Sequence, residues 1–439
     1  MIILNKKKSH SVDFLLMYES KVRELEGICL IANELAGRGY SVGIFNKWPS
    51  FLYGQVIRPS AKVLLIPSAY RDPSLYILLA KVKGASSVIN LQWEQIYSRR
   101  DLTNPDSPWK ITGDVRKVTH ISWGDVNYSK LTKEDGVESR LVKKVGHVGL
   151  DYLRPGLRGF YRTREELCQE FGIQPETKLC LFISSFSFTN LPENMVEPEL
   201  KELYRVSYES QRIILEWIMK VLAKYPGMTF VYRPHPSEAN NRALWDLAAQ
   251  NDHFKVIKDY SVKQWILICD TIYNWYSTSL AEVYFAGKSC YFLRPCVIPA
   301  EYECLIMEEL ESLKTYEEFE GSLFSTECAL PVPEEVILEN YSYDENCPTY
   351  QKIADVAEEL YRSGDSRFEH KRTGKDTIDN LKLVLKASFL GKLRKKLGLQ
   401  SPVKPQDAEY EDYITQMYRN NIVTEEEFLS MIDRLKRVL

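Results

Sequence analysis

The chain has 439 residues, of which 44% are hydrophobic and 27% charged. This is the composition of a globular protein long enough to form two domains. The formal net charge of −3 gives no electrostatic reason to expect nucleic acid as a partner.

The cysteines and the apolar runs indicate the cellular compartment of the protein. Nine cysteines include no C-x-x-C pair, and several lie inside apolar runs. We therefore expect buried free thiols in a reducing compartment rather than disulfides or a zinc site. The order of the first residues is wrong for a signal peptide, and no apolar run approaches the ~18 residues that span a bilayer. These features predict a cytoplasmic protein, with peripheral attachment to the inner membrane as a second possibility.

In chain order, short apolar segments alternate with amphipathic ones through the first 155 residues. A strand predicted at 13–18 is followed by a helix at 21–36, whose apolar residues recur every three or four positions. Further strands are predicted at 40–45, 62–67, 87–93, 118–124 and 141–149. Glycines and a proline in 146–156 then predict a domain boundary.

The same alternation begins again after residue 156. A long helix is predicted at 203–225, and strands are predicted at 178–185, 228–232, 254–260, 271–276 and 289–294. Such repeats indicate parallel sheets with helices on both faces. We predict an α/β fold of two Rossmann-like domains facing a cleft, an acceptor domain over 1–155 and a nucleotide-donor domain over 156–365.

Residues 366–439 are predicted to form a helical C-terminal extension. Residues 380–406 contain no acidic residue and interleave lysines and an arginine with leucines and a phenylalanine, so they form a basic amphipathic segment. Two interpretations stay open: contact with an anionic membrane surface, or a helix packed on the body with solvated lysines. The tail that follows could serve as an oligomerisation element.

One apolar strand runs directly into Arg233-Pro234-His235-Pro236. Two prolines this close end the strand, because proline cannot donate to the ladder. In open α/β sheets, ligands bind beyond the carboxyl ends of the strands. His235 could donate to a phosphate oxygen there and Arg233 could neutralise its charge.

A second run of the same half, Ser277-Thr278-Ser279, lies between a predicted strand and a helix. Hydroxyl groups together with the unpaired N–H groups of a first helical turn can bind phosphate. The alternative is an ordinary Ser/Thr cap.

Polar residues also follow the predicted strands of the first half. Glu94 is the candidate general base for an acceptor hydroxyl, with a solvated or salt-bridged glutamate as the alternative. Lys21, Arg23 and Glu24 in the first turn of the first helix could reach an anionic acceptor, with a solvated turn as the alternative. His120 and Asp125 are candidates for the cleft, although a buried structural histidine is the favoured interpretation of His120.

Several common motifs are missing from the sequence. There is no Walker motif and no G-x-G-x-x-G after a strand, which disfavours a P-loop ATPase and a Rossmann dehydrogenase. No D-x-D occurs, so we predict metal-independent chemistry without a cofactor.

These motifs resemble those of the two-domain GT-B glycosyltransferases. Within that group the chain is similar to bacterial enzymes of surface carbohydrate biosynthesis that use CMP-activated sugars, namely sialyl-, polysialyl- and Kdo-transferases with an HP motif and a serine/threonine motif. The resemblance assigns His235-Pro236 and Ser277, Thr278 and Ser279 to the donor phosphate. Those enzymes carry an acidic motif ending in glycine after a first-domain strand, whereas this chain has Trp93-Glu94-Gln95.

The resemblance predicts transfer of a nonulosonic acid or Kdo from its CMP donor to a capsule or lipopolysaccharide acceptor, with a nucleotide sugar and a glycan acceptor as the partners. A CDP-glycerol-type glycerophosphotransferase, or a UDP- or GDP-hexose transferase, would keep the fold and change the group transferred. A non-enzymatic scaffold of a polysaccharide assembly complex is the third alternative.

Overall fold

The structure is a computed structural model, and it describes residues 2–5, 11–47, 59–85, 87–187, 189, 193–235, 238, 241–308, 310–325, 329, 332–363 and 421–439. Contacts divide the chain into two compact units. The first comprises Met1–Gln95, Pro108–Asp151 and Tyr341–Arg437, and the second comprises Ile96–Ser107, Tyr152–Asn340 and Val438–Leu439. The basic segment 380–406 lies outside the described residues.

The strands and helices are numbered here in chain order over the described residues. The strands are β1 Ile2–Leu4, β2 Ser11–Tyr18, β3 Val42–Asn46, β4 Ser60–Ile66, β5 Ser87–Asn90, β6 Thr119–Ser122, β7 Val142–Lys144, β8 Lys178–Ile183, β9 Met228–Arg233, β10 Phe254–Val256, β11 Thr271–Asn274, β12 Cys290–Leu293 and β13 Ser312–Leu313. The helices are α1 Lys21–Gly37, α2 Asp72–Leu79, α3 Arg99–Thr103, α4 Asp125–Ser129, α5 Arg164–Phe171, α6 Lys201–Lys224, α7 Arg242–Gln250, α8 Val262–Ile268, α9 Leu280–Ala286, α10 Tyr316–Ser322, α11 Glu334–Asn340, α12 Thr349–Ser363 and α13 Glu425–Lys436.

The first unit is built on a sheet with the order β1-β3-β2-β4-β5-β6-β7. Only β1 is antiparallel to its neighbour in this sheet, as far as the structure describes it. The central strand β2 is buried from Val12 to Tyr18, as expected for a parallel strand covered on both faces. Because β2 leads through α1 to β3 on one side and β4 lies on the other, the strand order reverses at β2. Such a switch point opens a crevice at the carboxyl ends of the strands.

The second unit repeats this arrangement with the order β10-β9-β8-β11-β12-β13, and the described pairs are all parallel. Its switch point lies at β8, between β9 and β11. The long helix α6 buries one apolar face, including Ile214, Trp217, Ile218 and Val221, as its periodicity predicts. The predicted α/β fold with parallel sheets is confirmed.

The division of the chain differs from the predicted boundaries because α12 packs on the first unit. Its Tyr361 contacts the rings of Phe14 and Tyr40, and its hydroxyl donates to Asp13 Oδ1 at 3.0 Å. Arg38 at the end of α1 forms ion pairs with Asp355 and Glu358. These are long-range contacts, which a local sequence pattern does not report.

The last helix, α13, also belongs to the first unit. Phe428, Ile432 and Leu435 are buried on one face, and α13 contacts α1. Oligomerisation through the C-terminal helices stays a prediction. Among the helices that the structure describes, none combines the length and apolar character needed to cross a bilayer.

Candidate functional site

The crevice of the first unit contains a cluster of charged side chains. Arg23, in the first turn of α1, forms ion pairs with Glu24 beside it and with Glu94 beyond β5. Glu94 and Arg23 are both nearly half exposed, at 42% and 45% of their side-chain surface. The structure thus brings together two of the residues predicted from sequence, and Glu94 is salt-bridged, as its alternative interpretation proposed.

Glu24 is the buried member of this cluster, whereas the sequence placed it with Lys21 and Arg23 in a first turn that could reach an anionic acceptor or be solvated. Its side chain is completely buried, and it accepts hydrogen bonds from the backbone N–H of Glu19 at 2.7 Å and from Arg23 Nη2 at 3.1 Å. Burial raises the pKa of Glu24 to about 7, although Arg23 and the Glu19 N–H act in the opposite direction. A carboxyl group with a pKa near 7 can bind and release a proton at physiological pH.

The loop that carries Glu94 is fixed by its neighbours. Gln95 is buried, and its amide donates to the carbonyls of Gln92 and Ile121 and accepts from Trp123 N. Gln92 adopts a left-handed backbone with φ +51° and is fully buried. A non-glycine residue in this region costs energy and is held there only by surrounding structure. These contacts fix the backbone of the loop that carries Glu94.

A glycine lets α1 approach this loop. A Cβ atom added to Gly27 would lie 2.7 Å from the Trp93 ring and 2.8 Å from Val148 Cγ1. Any larger residue would push the helix away from Trp93, so Gly27 allows the α1 turn with Arg23 and Glu24 to sit beside Glu94.

Two other predicted residues of the first unit, Lys21 and Asp125, form ion pairs outside this cluster. Lys21 pairs with Glu427 of α13, and its backbone N–H donates to Asn421 Oδ1. Asp125 is exposed and pairs with Lys144 at 2.6 Å. These ion pairs account for both side chains without a ligand.

The burial of His120 agrees with its favoured interpretation as a structural histidine. His120 has no exposed surface, and its Nε2 donates to the Val115 carbonyl at 2.9 Å while Asn90 lies 3.4 Å from Nδ1. Burial lowers the pKa of His120 to about 4, so the imidazole is neutral at physiological pH. His120 is a structural histidine of β6, paired with Asn90 of β5.

In the second unit, His235 leaves the carboxyl end of β9, as predicted. It is partly buried, and its backbone N–H donates to Glu238 Oε2 at 3.1 Å. Pro236 lies outside the described residues.

The contacts of Arg233 show how it is held, and its role at a phosphate stays a prediction. The side chain is buried, and its guanidinium donates to the carbonyls of Asp259 and Tyr260, in the loop after β10. Tyr260 has a left-handed backbone with φ +65°, so the arginine holds a strained turn. Arg233 therefore joins two strand exits.

The Ser277–Ser279 run follows β11, also as predicted, but its backbone amides are used differently. Asn274, fully buried, exchanges two hydrogen bonds of 2.7 Å with the Ser277 backbone. The N–H groups of Leu280 and Ala281 donate to the carbonyls of Ser277 and Thr278, so they are not the unpaired donors expected from sequence. Among the described residues, the hydroxyls of Thr278 and Ser279 have no hydrogen-bond partner, which makes the hydroxyls the available donors.

The exit of β8 separates these two motifs and was missed from sequence. Since neighbouring strands lie ~4.8 Å apart, β9 and β11 are roughly 10 Å apart, with β8 between them. Ser184 and Ser185 follow β8, and the buried Ser185 hydroxyl has no partner in the described chain. Trp275, stacked on Phe186 at 4.5 Å, likewise has a buried indole N–H without a partner. The signal was visible as hydroxyl residues directly after an apolar strand.

A cavity of about 350 Å³ lies beyond β12 and β13 in the same unit. Its lining includes Arg99, Arg294, Glu303 and Lys314 together with apolar side chains. Arg294 pairs with Glu303 and lies 5.6 Å from the Tyr276 ring, and Tyr276 directly precedes Ser277. Arg294 thus links the wall of the cavity to the segment that leads into Ser277. Within the described residues no group of three or more His, Cys, Asp or Glu could hold a metal ion.

Comparison with solved structures identifies the fold. One structure of the wall teichoic acid polymerase TagF, a variant, has a TM-score of 0.56 at 13% identity and covers 82% of this chain and 90% of its own. Another TagF structure has a TM-score of 0.54 at 12% identity and covers 80% and 89%. The fold is GT-B.

The other comparisons add little to this result. A UDP-GlcNAc 2-epimerase from Methanocaldococcus jannaschii has a TM-score of 0.49 at 11% identity, covering 80% of this chain and 99% of its own. No protein-family model and no curated protein sequence matches the chain. The TagF structures confirm the GT-B fold that was predicted from the tandem α/β architecture, the HP motif and the serine/threonine motif.

Proposed function

We propose that this protein is a glycosyltransferase that moves an acidic sugar, a nonulosonic acid or Kdo, from a CMP donor to a cell-surface glycan. One observation carries the proposal. His235, Ser185 and Ser277–Ser279 follow three neighbouring strands of the second sheet, β9, β8 and β11, around its switch point. Hydroxyl and imidazole donors around such a point suit a phosphate group.

In this proposal the second unit holds the donor. His235 and the hydroxyls of Thr278 and Ser279 stabilise the charge that develops on the CMP phosphate as the sugar leaves. In the cavity, Arg99 and Arg294 are paired with Glu308 and Glu303, so Lys314 is the lining cation left to attract an anionic part of the donor.

In the first unit, Glu94 is the proposed base for the acceptor hydroxyl. Arg23 lies between Glu94 and the buried Glu24, so it holds the Glu94 carboxylate in one orientation. No metal ion or cofactor is assigned a role in the proposed transfer.

A second candidate function, transfer of glycerol phosphate from a CDP-glycerol donor, has a specific observation in its favour. The TagF neighbours include a structure obtained after a soak with CDPG, with a TM-score of 0.52 at 10% identity. Both candidate reactions release CMP, so the donor has to be tested directly.

The test is a donor screen that measures CMP release by purified full-length protein. CMP-activated acidic sugars, CDP-glycerol, and UDP- and GDP-hexoses are compared with and without acceptor glycan. We expect turnover with a CMP-sugar, and a loss of about 100- to 1000-fold in kcat for His235→Ala, as for removal of one transition-state hydrogen-bond donor. Turnover of CDP-glycerol alone would favour the second candidate. Near-normal turnover by His235→Ala would exclude the assigned role of His235.

A further inference from the structure

Glu238 lies three residues after His235 and has no exposed surface. It is the one fully buried carboxylate that the structure describes in the second unit. A buried carboxylate is costly unless its oxygens receive hydrogen bonds. Its surroundings therefore indicate what the side chain holds in place.

Each oxygen of Glu238 receives two donors. Oε1 accepts from Gln211 Nε2 at 2.5 Å and lies 2.6 Å from the Tyr232 hydroxyl. Oε2 accepts from the Ser184 hydroxyl and from the His235 backbone N–H at 3.1 Å. The carboxylate thus connects α6, β9, the exit of β8 and the His235 turn, in which the Glu238 N–H donates to the His235 carbonyl at 2.9 Å.

The donors on the two oxygens show which hydrogen bonds a substitution at position 238 would have to replace. The Gln211 amide nitrogen and the His235 N–H can only donate, and one of them lies on each oxygen. A glutamine at position 238 would turn its own N–H₂ group either toward the His235 N–H, which can only donate, or toward the Gln211 amide, which would then have to rotate and present its oxygen. The isosteric amide therefore cannot keep the present arrangement of hydrogen bonds despite its equal size.

We propose that Glu238 is a positioning residue for the donor phosphate site, holding the His235 turn and Ser184 at the switch point of the second sheet. This inference rests on the proposed function, because it acts through His235. The Ser184 hydroxyl also accepts a hydrogen bond from Phe186 N at 3.3 Å, which fixes the short segment after β8. Ser185, whose buried hydroxyl has no partner in the described chain, lies between these two residues.

The test is a double-mutant cycle on CMP affinity, measured by calorimetry on the full-length protein. The variants are Glu238→Gln, His235→Ala and the two combined. Contacting residues couple by energies that correspond to about two- to 150-fold in affinity. We expect Glu238→Gln to weaken CMP binding at least tenfold in the wild-type background and by a clearly smaller factor in the His235→Ala background, where only the contribution through Ser184 remains. Glu238→Asp, which keeps the carboxyl group, should recover part of the affinity.

Thr229→Val is the matched control for general loss of structure. Thr229 is buried in the same strand β9, its hydroxyl contacts Thr177 and His253, and it has no contact with Glu238. This variant should lower stability without changing CMP affinity.

The outcomes separate the inference from the function it rests on. An equal penalty for Glu238→Gln in both backgrounds, or Asp no better than Gln, would overturn the positioning role while CMP binding stands. A wild-type protein that binds no CMP would overturn both.

Discussion

Arg23, Glu24 and Glu94 form a cluster whose members could all be selected from sequence, but whose burial could not. Glu94 follows an apolar strand and could be selected for that reason. Glu24 occupies an ordinary first-turn position, and only the fold reveals that it is buried against Glu19 N–H. Residue-level prediction thus found side chains at strand exits and in the first helical turn, but it did not foresee the burial of Glu24 and did not find Glu238.

The raised pKa of Glu24 predicts a pH-dependent stability. In the folded protein the pKa is about 7, above the ordinary value of 4.5, so folding favours the protonated form. The stabilising contribution is complete below pH 4.5 and is lost as the pH rises through 7. Between pH 5 and pH 8 the wild type should lose about 2.5 kcal/mol relative to Glu24→Gln, whose amide does not titrate.

Urea unfolding of both proteins at the two pH values measures this difference. Glu94→Gln is the control, because Glu94 is exposed and its replacement should leave the slope with pH close to that of the wild type. Parallel pH curves for the wild type and Glu24→Gln would show that the Glu24 pKa is not raised by folding.

At the scale of elements, Gly27 makes an unusual prediction for a helix. Alanine normally stabilises a helix relative to glycine by about 1 kcal/mol. Here the added Cβ would overlap the Trp93 ring and Val148, so Gly27→Ala should destabilise the protein by about 1–3 kcal/mol. Gly37→Ala, at the other end of α1 with nothing within 4 Å, is the control and should be neutral or stabilising. Thermal unfolding compares the two, and equal melting temperatures would refute the close packing.

The helix α12 should stabilise the first unit although it follows the second in sequence. Ile353 of α12 is 1% exposed, and its replacement by alanine should cost about 2–5 kcal/mol. Hydrogen exchange should then accelerate in α1, which packs against α12, and stay unchanged in β8 and β9. Glu359→Ala, at an exposed position of the same helix, should change neither region. Faster exchange in the second unit alone would place α12 there instead.

For the whole molecule, the alternation of strands and helices was enough to predict two α/β units, each built on a mainly parallel sheet. The periodicities are local, so they predicted β2, α1, α6 and β9 within a few residues. The strand order and the return of α12 to the first unit depend on contacts between distant residues, such as Tyr361 with Phe14. His235 and Ser277 belong to separate motifs in the sequence, and only the strand order shows that the exit of β8 lies between them.

The most direct test of the proposed function is calorimetric titration of CMP into the full-length protein and into His235→Ala. CMP is the product common to both candidate reactions, so the result does not depend on the transferred group. We predict that CMP binds the wild type with one site per chain, that His235→Ala weakens it at least about tenfold, which corresponds to 1.4 kcal/mol, and that Thr229→Val binds as the wild type does. Absence of CMP binding, or equal affinity for CMP in the wild type and His235→Ala, would contradict a donor phosphate site at the switch point of the second sheet.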